Sequence, residues 1–533
     1  MVHTSVPVLP TALPEVETIT APRRGTPVAV VTAEGTDTVE VVVGGRDALT
    51  TEWFDAVGHT GKAGEVHPGP AGSGVAWVVG TGKGEPGHWR AAGAALARAA
   101  NARIAARTAA ADTGRPAGRS ADTVLALAPP PGLGADEVTA LVLGLRLGGY
   151  DYQVTGEPAP PRLRTIRLVT DERDTADTVR RASVLAAATG LARDLANTPS
   201  NVKDPAWLAR TAQRVAGRAP GLRVTVRDER WLAEQGFGGV LAVGGGSARP
   251  PRFVEMELGG RRGAPHVVLV GKGITFDTGG LSIKPADGMH LMRTDMSGAA
   301  AVIAAVTALA ELAPDVRVTG LVPCAENQVS GSSYRPGDVV RHYGGRTTEV
   351  TNTDAEGRMV MADALAYAVE RLRPDLVVDV ATLTGAMKVS LGLRTGGAFA
   401  SQDDVWERVD AAGVAAGERW WRMPLASDAD TVADEFAESV HSRLADGAQC
   451  PTGPGGIAAA MFLREFTGGL PWAHLDIAGP ARAERTYDEV TAGATGFAAR
   501  TLVELAAGYG RREANARSNS ANLTRNTGPL AAR

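Results

Sequence analysis

Asn352-Thr353-Asp354-Ala355-Glu356-Gly357-Arg358 sets two carboxylates and a guanidinium at alternate positions. In an extended segment, side chains two apart share one face. Asp354, Glu356 and Arg358 are then expected to point into the same space. Carboxylates held that close repel each other unless a cation or a proton lies between them. Small Ala355 and Gly357 leave room for the backbone to approach a bound group. The segment reads as a hard-metal site beside an anion-binding arginine. The plain alternative is a salt-bridged turn leading into a helix from Met359.

Two other segments carry matching chemistry. An apolar strand, Val268–Val270, runs into a Gly-rich loop, Gly271–Gly280, that holds Lys272 and Asp277, and Lys284 follows. Ligand sites in open α/β sheets lie outside the carboxyl ends of strands. A phosphate loop needs Ser or Thr after the lysine. Gly273 stands there, and Gly84 stands there in Gly80–Gly84, so neither loop is expected to bind nucleotide. Asp295 lies in Met292–Gly298 just before an Ala-rich stretch, where its plain use is a helix N-cap. Only six of the 55 basic residues are lysines: Lys62, Lys83, Lys203, Lys272, Lys284 and Lys388. Lysine can shed its proton and ligate a metal, and arginine in practice cannot. The plain alternative is chance survival of a lysine in an arginine-biased chain. Asp277, Asp295, Asp354 and Glu356 bring a charge of about −4, which two divalent cations balance, with neutral Lys272 as a further ligand. Oxygen-rich ligation with one nitrogen suits Zn²⁺, Mn²⁺ or Mg²⁺. The nine histidines form no His-Glu-x-x-His pattern, which argues against a histidine-based zinc protease.

The elements that must position these groups read as α/β. A chain of 533 residues exceeds one ordinary core, so two domains are expected. Residues 1–25, Pro- and Thr-rich, read as a flexible arm, and 26–172 as an N-terminal α/β domain. Residues 173–197 read as a connecting helix, 198–510 as the catalytic domain and 511–533 as a disordered tail. Continuous apolar runs at His266–Val270, Val316–Pro323 and Asp375–Val380, interleaved with helical stretches, argue for mixed sheets covered by helices on both faces. The net charge of −4 offers no basic excess, so nucleic acid is not an expected partner. Two cysteines, Cys324 and Cys450, exclude a disulfide framework and fit a reducing compartment. The chain shows no signal-peptide pattern and no apolar run of about 18 residues, so cytoplasmic location without a membrane span is expected.

These motifs resemble the leucyl aminopeptidase (cytosol aminopeptidase) family. The resemblance rests on Asn352–Arg358, on Gly271–Gly280 with Lys284, and on Met292–Gly298. It extends through Asn197–Asn201, Ala325–Asn327, Arg335–Asp338, Ala381–Ala386 and Trp472–Pro480, covering about residues 175–509 in order. It implies a two-metal aminopeptidase that hydrolyses the N-terminal residue, Leu or another apolar one, from short peptides through a metal-bridging hydroxide. Lys272, Asp277, Asp295 and Glu356 would hold the tighter metal. Asp277, Asp354 (side chain and carbonyl) and Glu356 would hold the exchangeable one. Lys284 and Arg358 would be the catalytic pair, with Arg358 holding a bicarbonate ion as general base. Met292, Thr382, Gly385 and Ala494 would line the side-chain pocket, although Met292 reads equally well as plain core. The Phe436–Gly456 segment departs from the family's shorter pattern. The family's homohexamer, with sites facing an inner cavity, is the expected assembly. Some members also bind DNA, so a DNA-binding accessory protein on the same fold is the alternative.

Overall fold

A computed structural model describes residues 7–36, 39–40, 48–112, 123–154, 161–425, 440, 442–450 and 453–510. The chain is an α/β protein that divides into two compact units. The first takes Met1–Asp194 and Ala483–Thr495, and the second takes Leu195–Arg482 and Gly496–Arg533. The helix at Thr175–Asn197 belongs to the first unit except for its last residues, and Ala483–Thr495 returns to that unit. The expected tail, 511–533, lies outside the described residues.

The first unit is built on β1 (Glu15–Ile19), β2 (Val28–Thr32), β3 (Val66–Pro68), β4 (Val75–Gly80), β5 (Val124–Ala128) and β6 (Thr165–Val169). Their order is β1-β6-β5-β2-β4-β3, with β3 antiparallel at one edge and the other pairs parallel. The expected flexible arm is thus partly ordered. Glu15–Ile19 pairs in register with Thr165–Val169, because an edge strand needs only one neighbour to satisfy one side of its backbone. The helices are α1 (Thr51–Val57), α2 (Pro86–Asp112), α3 (Ala135–Leu147) and α4 (Thr175–Asn197). α2 and α3 cross closely because glycine lies at the contact: a Cβ on Gly144 would fall 2.1 Å from the Arg90 carbonyl oxygen.

The second unit holds a nine-stranded sheet. Its strands are β7 (Leu222–Arg227), β8 (Arg252–Leu258), β9 (His266–Gly271), β10 (Gly273–Asp277), β11 (Arg317–Asn327), β12 (Leu376–Ala381), β13 (Thr395–Ala400), β14 (Arg419–Arg422) and β15 (Trp472–Asp476). The path runs β14-β13-β15-β12-β9-β11-β8-β7, with β10 pairing only with β11. The centre, β15-β12-β9-β11, is parallel. Parallel strands need covering on both faces, and β9 and β12 are buried at every position. The covering helices include α5 (Pro205–Ala216), α6 (Ser297–Leu312), α7 (Glu356–Tyr367), α8 (Gly385–Leu391) and α9 (Gly455–Arg464). The stretch Met289–Leu312 is apolar and long enough to cross a membrane, but 83% of its window is buried inside the protein, as expected of a core helix. Both cysteines are free.

Candidate metal centre

The site forms where the parallel strands β9, β11 and β12 end. Gly271–Gly280 is not the expected open loop. The chain breaks for one residue at Lys272 and resumes as β10. Lys272 N donates to the Val380 carbonyl, and Ala299 N donates to the Lys272 carbonyl. Gly271 and Gly273 permit this close packing, since a Cβ would lie 2.7 Å from Ala299 Cα or 2.5 Å from the Pro323 oxygen. Lys272 is thereby pinned by backbone on both sides, with its side chain directed inward and only 3% exposed.

The ammonium of Lys272 lies 2.9 Å from Asp295 Oδ2 and 2.8 Å from Glu356 Oε1, and it donates to the Thr382 carbonyl at 2.9 Å. Asp295 does not cap α6, whose N-cap is Met296. Its Oδ1 accepts instead from Lys272 and, at 2.7 Å, from the Thr382 hydroxyl. Lys203, merely one of the scarce lysines in the sequence, is fully buried and donates to the carbonyls of Leu195, Ala196 and Arg293. It ties down the turn that carries Asp295.

Asp354 and Glu356 do converge, but not by alternation in a strand. Asn352–Ala355 is a turn and Glu356 is the first residue of α7. Two anchors hold the turn. Asn327 Nδ2 donates to Asp277 Oδ1 at 2.8 Å and to the Thr353 carbonyl at 3.0 Å. Gln449, fully buried, accepts through Oε1 from Thr351 N and Asn352 N and donates through Nε2 to the Ala355 carbonyl. Gln449 had no signal in the sequence beyond its place in the divergent Phe436–Gly456 segment, part of which lies outside the described residues. Carboxylate oxygens of Asp277, Asp354 and Glu356 all fall within 4.8 Å of one another. Lys284 pairs with Asp277 at 2.8 Å and with Asp354.

The electrostatics show how much this cluster lacks. Burial, then the charge of Asp277, pushes the Glu356 carboxyl up, and burial raises Asp295 and Asp354. Burial opposes charge on Lys272 and Lys284, but the surrounding carboxylates outweigh it and hold both above the ordinary lysine value. Even so, Asp295 Oδ2, Asp354 Oδ1 and both oxygens of Glu356 have no hydrogen-bond partner. The lysines come within ion-pair distance of several of these oxygens without hydrogen-bond geometry. Buried oxygens are rarely left so, and carboxylate lone pairs aimed at a shared point fit divalent cations.

Arg358, 8% exposed, does not face the carboxylates along a strand as expected. It donates to the Gln449 carbonyl at 2.9 Å and lies over the Phe462 ring, with its buried Nε unpartnered. Met292 is half-buried in the 3-10 helix Met289–Thr294. Gly385 is exposed at the start of α8, and a Cβ there would meet nothing within 4 Å. Ala494 is buried in the Ala483–Thr495 segment, which belongs to the first unit.

The catalytic-domain profile of the cytosol aminopeptidase family matches residues 190–503. The chain belongs to that family. It is a metallo-aminopeptidase, a peptide hydrolase. It is 41% identical over 493 residues to a probable cytosol aminopeptidase of Streptomyces coelicolor, covering 89% of this chain and 92% of that one. A probable cytosol aminopeptidase of Cutibacterium acnes is 44% identical over 377 residues, 70% of this chain and 73% of the relative. Among solved structures, the bottromycin maturation enzyme BotP in complex with Mn superposes with a TM-score of 0.77 at 39% identity, covering 91% of this chain and 99% of that one. A tomato leucine aminopeptidase mutant superposes with a TM-score of 0.79 at 29% identity, covering 95% and 99%.

Proposed function

We propose that this aminopeptidase removes an apolar N-terminal residue such as leucine from short peptides, using two divalent ions, Zn²⁺ or Mn²⁺ with Mg²⁺ as a third option. One observation carries the reading: four carboxylates gather around two lysines, and four of their buried oxygens lack a hydrogen-bond partner. Asp277, Asp295, Asp354, Glu356 and Lys272 would hold the ions, which when bound polarise a scissile carbonyl and acidify water. The BotP complex with Mn supports manganese among the candidates.

The side chains divide the remaining work. Lys272 is walled in and serves the ions. Lys284 is 21% exposed and can turn from Asp277 and Asp354 toward a substrate oxygen, where its charge stabilises a developing oxyanion. Arg358 has a buried, unpartnered Nε that fits a small planar anion, and bicarbonate there would supply a general base. Met292, Thr382, Gly385 and Ala494 are proposed for the side-chain pocket by resemblance to the family. The Thr382 hydroxyl is committed to Asp295, so its part in such a pocket would be played by its methyl group. A homohexamer in the cytoplasm is proposed on the same resemblance and on the relatives' names.

The test is metal analysis of purified protein together with a panel of dipeptides, aminoacyl anilides and one longer peptide. Two metal equivalents at the carboxylate centre and selective release of apolar N-terminal residues are expected. Hydrolysis that survives complete metal removal would refute the reading.

A further inference from the structure

A second cluster of ligating side chains lies in the first unit. His59 follows α1, His67 is the middle residue of β3, and Glu65 immediately precedes that edge strand. One ligand atom from each falls within 4.8 Å of the others.

The His59 ring is 1% exposed, and its Nε2 lies 2.7 Å from the Thr32 hydroxyl. That hydroxyl also reaches the Val79 carbonyl at 3.4 Å. With the hydroxyl proton on the Val79 carbonyl, which can only accept, the hydroxyl oxygen accepts from Nε2–H. The tautomer that results leaves the lone pair on Nδ1. Nδ1 is buried and has no hydrogen-bond partner. It faces Glu65 Oε2 at 3.7 Å, and the other carboxylate oxygen, Oε1, lies 3.0 Å from His67 Nε2.

The carboxylate is itself fixed in place. Glu65 Oε2 accepts from Thr60 N at 3.0 Å, Thr60 Oγ1 at 2.9 Å and Lys62 N at 3.3 Å. Tetrahedral ligation at about 2.0–2.1 Å requires neighbouring ligand atoms about 3.4 Å apart. The nitrogen–oxygen spacings, 3.7 Å from His59 to Oε2 and 3.0 Å from His67 to Oε1, lie on either side of that value, one to each carboxylate oxygen. The imidazole rings lie edge-on at 85° with centroids 5.2 Å apart, and a nitrogen of each lies within 4.8 Å of the other and of a Glu65 oxygen. His67 and Glu65 are 26% and 21% exposed, which leaves a fourth position open to water.

We propose that His59, Glu65 and His67 bind a zinc ion, separate from the carboxylate centre, that pins β3 and the turn after α1 to the sheet. Two neutral imidazoles and one carboxylate suit Zn²⁺ and disfavour Mg²⁺ or Ca²⁺, which take oxygen ligands. The hydrogen bond from His59 to Thr32 is the outer partner that fixes ring orientation in such sites. An ion pair between His67 and Glu65 alone would leave His59 Nδ1 orphaned.

The test uses the full-length protein equilibrated with micromolar Zn²⁺ and dialysed, with zinc per chain measured by mass spectrometry. His67→Ala and the nearly isosteric Glu65→Gln should each carry one equivalent less than the parent, with peptide hydrolysis unchanged. Thr32→Val should weaken that zinc by roughly 10- to 100-fold. In a Glu356→Gln background, where the carboxylate centre is impaired, added Co²⁺ should give a tetrahedral visible spectrum that His67→Ala abolishes. Equal zinc in the parent and in both folded ligand variants would overturn the proposal.

Discussion

Gly357→Ala separates an incidental lysine from a placed one. Gly357 is the second residue of α7, and its backbone conformation is open to any residue. On propensity alone, alanine in a helix should gain up to about 1 kcal/mol over glycine. The added Cβ, however, would sit 2.5 Å from Lys272 Cε, 2.8 Å from its Nζ and 3.0 Å from Leu383 Cδ1. Carbon atoms rest at about 3.5 Å or more, so the end of Lys272 must move by about 1 Å. It has nowhere neutral to go, because Asp295, Glu356 and the Thr382 carbonyl hold it and the residue is 3% exposed.

Breaking a buried pair by removing one partner costs about 3–5 kcal/mol. Displacement should cost the lower figure, about 3 kcal/mol, and the helix gain offsets about 1 of it. The expected net loss is about 2 kcal/mol in metal-free protein, read by denaturant unfolding. A shift of about 1 Å in a group that positions the chemistry can cost about 100-fold in rate. Hydrolysis of a leucine amide should therefore fall by about that factor, with weaker retention of one metal on dialysis. A Gly357→Ala protein that is more stable than the parent, keeps its metal and hydrolyses within about twofold would refute the placement argument.

Three other outcomes are expected. Glu356→Gln should abolish leucine-amide hydrolysis while the far-ultraviolet circular dichroism stays native, because it keeps the shape of the side chain and removes the charge that faces Lys272 and the metal position; full retained activity would defeat the metal assignment. Gln449→Leu frees two backbone N–H groups and the Ala355 carbonyl in the turn before α7, and metal affinity should drop by roughly 10- to 100-fold in a chelator competition. Burial, then the Arg317 guanidinium, pushes His266 down to about 4, so the folded state refuses a proton that the unfolded chain takes up below about 6.5. Stability should therefore fall by about 3 kcal/mol as pH drops from about 6.5 to about 4, and His266→Gln should flatten that slope in denaturant titrations.

Some of this could be read from the chain and some could not, for physical reasons. The central strands were legible because parallel strands buried on both faces must be apolar without alternation, as in His266–Gly271 and Leu376–Ala381. The acidic cluster was legible because short motifs carry it. Its local geometry was not: alternation suggested a strand, whereas a turn and a helix start bring Asp354 and Glu356 together. Turn and strand differ here through Gln449, whose side chain substitutes for backbone partners from about a hundred residues away. Pairing at that range leaves no local periodicity. The return of Ala483–Thr495 to the first unit was hidden for the same reason, since no composition change marks it.

The two lysines argue for a division of labour that the sequence could not show. Both pair with carboxylates and both are held above the ordinary lysine value. Lys272 is fixed by backbone hydrogen bonds to a strand on one side and to the start of α6 on the other, faces α7 and meets almost no solvent. A group so enclosed can serve only what lies between the carboxylates. Lys284 sits past the glycine turn Gly279–Gly280, keeps 21% of its side chain exposed and pairs with Asp354, itself 32% exposed. A partly exposed ion pair is weakened by water, so Lys284 can exchange Asp354 for an incoming oxygen more readily than Lys272 can exchange its partners. If that is its work, Lys284→Arg should keep metal content and lose turnover, because the larger planar guanidinium cannot replace a compact ammonium at a single oxygen. The matching change at Lys272 should lose the metal first.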